Sequence, residues 1–290
     1  MAVAVLHHER VAGAAPVAWL LFTHGIYGSG GNWRSIARKV VDRRPDWGAV
    51  LVDLRGHGRS PAGDPPHTVD ACAADLAAAV DGLAAAGAPV RAACGHSFGG
   101  KCVLALRDRA ATTPLAVPLA QTWVLDATPS ARPATFDADD NTVRQVLEVM
   151  ERLPPRFAHR DDFVAAIVAA GHPPTLGHWL AMNLVAAPAA EGGGLRLRLD
   201  LVQVRTLLGD YFRRDLWAAV EDPAMPGDLH VVLGGASRTV PDDDRARLTG
   251  AAAVAARTIV DVIPGAGHWL HIDAPAAVVD LIAGALPPAR

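Results

Sequence analysis

Cysteine is scarce in this 290-residue chain, occurring only as Cys72, Cys94 and Cys102. Three cysteines cannot make an even disulfide framework, and their spacing fits no metal-ligand pattern. A disulfide-stapled scaffold and a structural zinc module are therefore excluded, and a reducing cytoplasm is the expected compartment. The three read as small buried apolar residues. Basic runs are missing too. With 27 Lys and Arg against 30 Asp and Glu, the formal net charge is −3, so nothing in the charge pattern calls for nucleic acid or an anionic membrane surface as partner. Long apolar runs are also absent. The cleanest early stretch, residues 17–22, is far short of the roughly 20 residues that cross a bilayer, and no membrane insertion is expected. Residues 1–6 are apolar but run directly into His7, His8, Glu9 and Arg10. They lack the basic region and the full apolar region of a secretory signal and read instead as a first strand.

What is present is a large apolar fraction, 51% of residues, enough for one sizeable core with an insertion. Short apolar runs alternate with glycine-rich turns and with helix-forming stretches rich in Ala, Leu and Arg. That pattern predicts an α/β fold, a mostly parallel central sheet with helices on both faces. Strands are predicted over 17–23, 49–53, 90–94, 122–126, 229–233 and 258–263. Helices are predicted over 33–42, 69–86, 98–109, 242–255 and 275–285, with Thr68 and Asp273 as caps. Between residues 131 and 226 the alternation stops. Apolar residues recur there at helical spacing over 143–153, 163–170 and 176–187, punctuated by prolines, with a mobile loop expected at Gly192 to Gly194. The expected organisation is a core domain of residues 1–130 and 227–290 with a helical cap subdomain of residues 131–226 inserted after the sixth strand. Residues 195–199 alternate apolar and basic side chains and read as a solvated strand or helix edge.

Gly95-His96-Ser97-Phe98-Gly99-Gly100 lies directly after an apolar strand and before a helix-forming run. This is the G-x-S-x-G pattern in the strand–turn–helix setting that gives it meaning. A serine hydroxyl is a weak nucleophile until a sharp turn raises it beside a base, and glycines on either side permit that turn. The helix start beyond it aims backbone N–H groups at any oxyanion that develops.

With these residues in view, the chain resembles the α/β-hydrolase superfamily along nearly its whole length, through four motifs in order. THGIYGSGGNW at 23–33 is similar to the loop after the family's third strand. DLRGHGRS at 53–60 is similar to the turn after the fourth, GHSFGGK at 95–101 to the nucleophile elbow of small bacterial esterases and related mitochondrial hydrolase-domain proteins, and PGAGHWLHIDAP at 264–275 to the loop bearing the base. The resemblance implies Ser97 as nucleophile and His268 as base, with His271 as its nearest competitor. It also implies an oxyanion hole from the backbone N–H groups of Ile26 and Phe98. Histidine suits the role of base because it exchanges protons near neutrality. His24, His57 and His96 are read as structural hydrogen-bonding residues around the site.

The acid departs from the family's common pattern. Most relatives carry it in a G-x-x-D-x-x-V-P segment after the seventh strand, and here the aspartate position is Ser237. A serine cannot balance an imidazolium by charge, so the carboxylate must come from elsewhere. The end of the sixth strand offers Asp126 in LDATP, and the resemblance to the small esterases supports that choice. Asp242, Asp243 and Asp244 remain rivals, although at a helix start they also suit capping and the helix dipole. Tyr27, Trp33, Trp179, Trp217 and Trp269 are candidates for the wall of an acyl pocket, Tyr27, Trp179 and Trp269 foremost. Lys101 is read as ordering the loops near the elbow or as a plain structural lysine.

The function this implies is a serine hydrolase, without metal or cofactor, that cleaves a small or medium acyl carboxylic ester through an acyl-enzyme. The expected partner is a small-molecule acyl substrate. The same triad could serve a thioester, lactone, amide or carbon–carbon bond, and the fold also hosts non-catalytic ligand-binding or interaction proteins. Dehalogenase and epoxide-hydrolase relatives carry aspartate where this chain has Ser97, which disfavours their chemistry.

Overall fold

The apolar runs of the core assemble into one sheet in a computed structural model that describes residues 3–189, 192–255 and 257–289. The strands are β1 (His8–Val11), β2 (Ala18–Thr23), β3 (Trp47–Val52), β4 (Val90–His96), β5 (Gln121–Leu125), β8 (Asp228–Gly234) and β9 (Thr258–Ile263), with a separate pair, β6 (Leu184–Ala186) and β7 (Leu195–Leu197). The order across the sheet is β1-β3-β2-β4-β5-β8-β9. Every pairing is parallel except that of β1 with β3. Buried on both faces, the central strands read as continuous apolar runs. Alternate side chains of β2 enter opposite cores, Trp19 and Leu21 on one side and Leu20 and Phe22 on the other. The core helices are α1 (Arg34–Arg43), α2 (Val69–Ala85), α3 (Phe98–Thr112), α10 (Asp242–Val254), α11 (Leu270–Asp273) and α12 (Pro275–Ala285). Helices α1 and α12 cover the Leu20 face, and α2 and α3 cover the Leu21 face. This is the mostly parallel α/β sheet, with helices on both faces, that the sequence predicts.

Three local expectations need correction. The first strand is His8–Val11 and not residues 1–6: Met1 and Ala2 lie outside the described residues, and Val3 to His7 form no strand. Thr68 caps α2 by accepting from the Ala71 N–H at 3.0 Å, but Asp273 does not cap α12. Its carboxylate instead accepts from the Gly267 N–H at 2.9 Å, bracing the turn before His268. The helix expected over 176–187 stops early, because the chain after it is drawn into the β6–β7 pair.

Between β5 and β8 run α4 (Pro133–Asp137), α5 (Thr142–Arg152), α6 (Arg160–Ala169), α7 (Pro174–Leu180), the β6–β7 pair, α8 (Leu201–Arg213) and α9 (Ala218–Glu221). Gly192, Gly193 and Gly194 all have positive φ at the turn of that pair. Helix α3 holds both ends of this insertion. The buried Lys101 ammonium donates to the Ser130 carbonyl at 2.8 Å and the Tyr211 carbonyl at 2.7 Å, and burial draws its pKa down to about 8. Arg107 donates to the carbonyls of Ala219, Pro226 and Gly227. Lys101 is thus a tie between the core and the insertion. No helix among the described residues is long and apolar enough to cross a membrane.

Candidate active site

Ser97 stands between the end of β4 and the start of α3 with φ 54° and ψ −121°. Left-handed backbone at a non-glycine residue costs about 1–3 kcal/mol and persists only where the surroundings dictate it. Here the Ser97 N–H donates to the Leu125 carbonyl at 2.9 Å and its own carbonyl accepts from the Lys101 N–H at 3.1 Å. The flanking glycines are a steric requirement. A Cβ on Gly95 would lie 2.1 Å from the Gly99 carbonyl oxygen, and one on Gly99 would lie 2.5 Å from that of His24.

His268, in the loop after β9, brings Nε2 to 3.1 Å from Ser97 Oγ. Its Nδ1 is 2.8 Å from Asp126 Oδ2. A carboxylate accepts, so Nδ1 carries the proton and Nε2 is free to accept from the serine. Asp126 is fully buried at the end of β5 with φ 48°, and its N–H donates to the Val232 carbonyl at 2.8 Å. Two further donors converge on its carboxylate: the Gly234 N–H at 3.1 Å on Oδ1, and the Ser237 hydroxyl on Oδ2. The serine at the family's usual acid position thus contacts the aspartate through the oxygen that faces the histidine. Nothing in the local sequence marks Thr239 for a role. Its Oγ1 is 2.9 Å from His268 Nδ1, a second acceptor for the same proton.

Two of the three rival carboxylates, Asp243 and Asp244, are engaged elsewhere. Asp244 is buried at the start of α10, where it accepts from Thr128, Ser130 and Arg132. Burial works to raise its pKa, yet Arg132 and the two hydroxyls outweigh it and hold the group below the ordinary carboxylate value. Asp243 pairs with Arg132 at 2.6 Å. Asp244 thereby fastens the stretch just after Asp126, and no hydrogen bond joins Asp242, Asp243 or Asp244 to His268 among the described residues.

Two cavities meet at Ser97 and His268. One, about 340 Å³, is walled by Ile26, Tyr27, Val146, Leu176, Trp179 and Trp269, and Trp33 also lines it. The other, about 710 Å³, shares Ile26, Val143 and Trp269 and adds Leu208, Tyr211, Phe212, Asn141 and Arg238. Trp217 is not part of either wall. It is buried, its Nε1–H donates to Ser130 Oγ at 2.8 Å, and Arg247 lies over its ring.

The other histidines nearby make hydrogen bonds and ring contacts of their own. His24 Nδ1–H donates to the Gly25 carbonyl at 2.8 Å while its Nε2 accepts from the Leu54 N–H at 3.0 Å. Both nitrogens are committed to the neutral ring, and burial with the adjacent His57 lowers its pKa to about 3. His96 Nε2–H donates to the His268 carbonyl at 2.7 Å, and burial, then His268 and His271, holds it well below the ordinary value. His271 packs against Trp33 and His96 and is lowered to about 4 by burial first and His268 second. His57 is lowered by burial as well. Unfolding returns these rings to an ordinary pKa of about 6.5, so the unfolded state binds more protons below that pH. Stability should therefore be full above about pH 6.5 and fall as the pH drops toward the folded values, by up to about 1.4 kcal/mol per pH unit per histidine. Urea midpoints between pH 8 and pH 5 test this, and a flat profile would contradict it.

The family model described as the alpha/beta hydrolase family matches residues 20–281. Over 280 residues the chain is 25% identical to the sn-1-specific diacylglycerol lipase ABHD11 of Mus musculus, covering 96% of this chain and 83% of that protein. It is 28% identical over 270 residues to esterase YbfF of Escherichia coli (strain K12), covering 91% of each. Among solved structures, a marine microorganism esterase superposes with a TM-score of 0.79 at 23% identity, over 98% of this chain and 100% of that one, and so shares the fold. With a family model that spans most of the sheet and all of the segment between β5 and β8, this chain belongs to the alpha/beta hydrolase family.

Proposed function

We propose that the chain is a serine hydrolase that cleaves carboxylic esters of small or medium acyl chains, with Ser97 as nucleophile, His268 as base and Asp126 as acid. One observation carries the reading, the hydrogen-bonded line from Ser97 Oγ through His268 Nε2 and Nδ1 to Asp126 Oδ2, at 3.1 and 2.8 Å. His268 takes the serine proton as Oγ attacks the carbonyl carbon. The N–H groups of Ile26 and Phe98 receive the oxyanion; Phe98 opens α3, where the first N–H groups have no partner one turn earlier. The imidazolium then protonates the departing alcohol. Water repeats the sequence on the acyl-enzyme, releasing the acid and restoring Ser97. Asp126 keeps the ring in the required tautomer throughout and balances its positive charge.

Residues 131–226 act as a cap over the core domain of residues 1–130 and 227–290, since α5 and α7 supply one wall of the apolar cavity and the loops after β2, β4 and β9 supply the other. That cavity of about 340 Å³ takes the acyl group, and the wider, more polar one takes the leaving group. Ester cleavage agrees with the names of the relatives, a lipase and an esterase. The test is a p-nitrophenyl series from acetate to palmitate. Turnover should peak at short to medium acyl groups and decline toward palmitate, and a fluorophosphonate should label Ser97. No turnover of any member by folded protein would overturn the ester reading.

A further inference from the structure

The loop that carries Ile26 is held from the insertion as well as from the sheet. Residues Gly25 to Gly28 form a turn closed by the Gly28 N–H on the Gly25 carbonyl at 3.0 Å. Tyr27, third in that turn, has φ 65°, where glycine is at ease and a tyrosine needs support. On the core side the chain is secured after the turn: the Ser29 N–H donates to Asn32 Oδ1 at 2.8 Å and the Gly30 N–H to Asp53 Oδ1 at 2.7 Å. The strained residue itself is secured by the insertion. Asn183 Nδ2 donates to the Tyr27 carbonyl at 2.8 Å and to the Leu180 carbonyl at 3.2 Å. The Tyr27 hydroxyl donates to the Val143 carbonyl, at the start of α5, at 2.9 Å. Tyr27 is 4% exposed and Asn183 7%, so loss of either partner leaves a largely buried polar group unpaired within the protein. The Tyr27 ring also meets Trp179 of α7 edge-on.

We infer that Asn183 is a positioning residue for catalysis: through the Tyr27 carbonyl it holds the turn that presents the Ile26 N–H, so the oxyanion hole is complete only while the insertion is seated. This rests on the hydrolase reading above and adds to it a residue of the insertion that touches no reacting atom. Substrate entry and assembly of the oxyanion hole are then linked, because α7, which leads directly into the segment bearing Asn183, also walls the apolar cavity.

Asn183→Leu keeps the branch at Cγ and removes the donor. With active sites counted by fluorophosphonate titration, kcat per site on p-nitrophenyl butyrate should fall about tenfold or more, a part of the roughly 10²–10³ lost when an oxyanion donor is removed outright. KM should change little. Affinity for a trifluoromethyl ketone, whose hemiketal oxyanion occupies the hole, should fall in parallel with kcat. A merely structural role would lower the melting temperature and the count of active sites but leave kcat per site and inhibitor affinity alone, and that result would overturn the proposal. Glycine at 27 adopts φ 65° unaided, so Asn183→Leu should cost less in a Tyr27→Gly background, whereas strict additivity would argue against the coupling. Should Asn183→Leu fail to fold, Asn183→Asp, which sets an acceptor against the Tyr27 carbonyl, must show the same loss in kcat. Failure of the hydrolase reading is distinguishable, since it appears as wild-type turnover that is absent or survives Ser97→Ala, and it overturns both.

Discussion

Ser97→Ala is expected to lower kcat on p-nitrophenyl esters by about 10⁶-fold, the scale on which a nucleophile of a working triad is lost, with little change in melting temperature. The two effects separate because the side chain and the backbone of this residue do different jobs. Its Oγ makes a hydrogen bond to His268, at 3.1 Å, whereas the elbow is held through the Ser97 N–H and carbonyl, both of which alanine retains. Residual turnover should reflect the oxyanion hole and substrate binding alone. Stopped assays with fluorophosphonate labelling measure both consequences, lost turnover and lost modification. An alanine variant that kept even a tenth of wild-type kcat would show that another group carries the attack. A change at Gly95 should also abolish activity but by a different route: its added Cβ would meet the Gly99 carbonyl at 2.1 Å, so the elbow and the helix behind it must move and the melting temperature must fall.

The parts of this molecule that were legible in sequence are those encoded by local pattern. The central strands of the parallel sheet are apolar throughout because both faces are covered, and the elbow announces itself because no bulkier residue fits at Gly95 or Gly99. Even the pairing of Asp126 with His268 could be approached, since Ser237 left the family's position without a carboxylate and Asp126 closed an apolar run. Thr239 and Asn183 were not legible. Their hydroxyl and amide act across 29 and 156 residues of chain, and nothing in their neighbours' periodicity marks them. The break after α7 was hidden for the same reason, since it depends on β6 pairing with β7 across an intervening turn. Composition could not place Trp217 either. An indole with a buried hydrogen-bond partner and one that walls a cavity look alike in sequence. Likewise, the three aspartates at 242–244 read only as a helix start until Asp244 is seen to bind Thr128, Ser130 and Arg132.

Asp126→Asn should reduce kcat by about 10⁴-fold while leaving the protein folded. Asparagine tolerates the left-handed backbone at φ 48°, and its carboxamide oxygen can still accept from the Gly234 N–H. The loss comes from the other side of the amide. With NH₂ facing His268 Nδ1, that nitrogen becomes the acceptor, the ring proton moves to Nε2, and Nε2 can no longer take the proton of Ser97. Thr239 cannot repair this alone, because a hydroxyl orients the ring without balancing an imidazolium. Position 237 can. Its side chain already reaches the carboxylate oxygen that faces Nδ1, so a carboxylate placed there lies about one hydrogen bond from the imidazole. Ser237→Asp in the Asp126→Asn background should therefore recover at least tenfold of the lost kcat, while in the wild-type background it should be harmful, setting a second carboxylate against the buried Asp126. Four-variant kinetics per titrated active site measure the exchange. If the double variant is no better than Asp126→Asn alone, the two positions are not interchangeable supports for His268. If Asp126→Asn itself keeps wild-type kcat while Asp244→Asn loses it, the acid is on α10 and the line through Asp126 is structural.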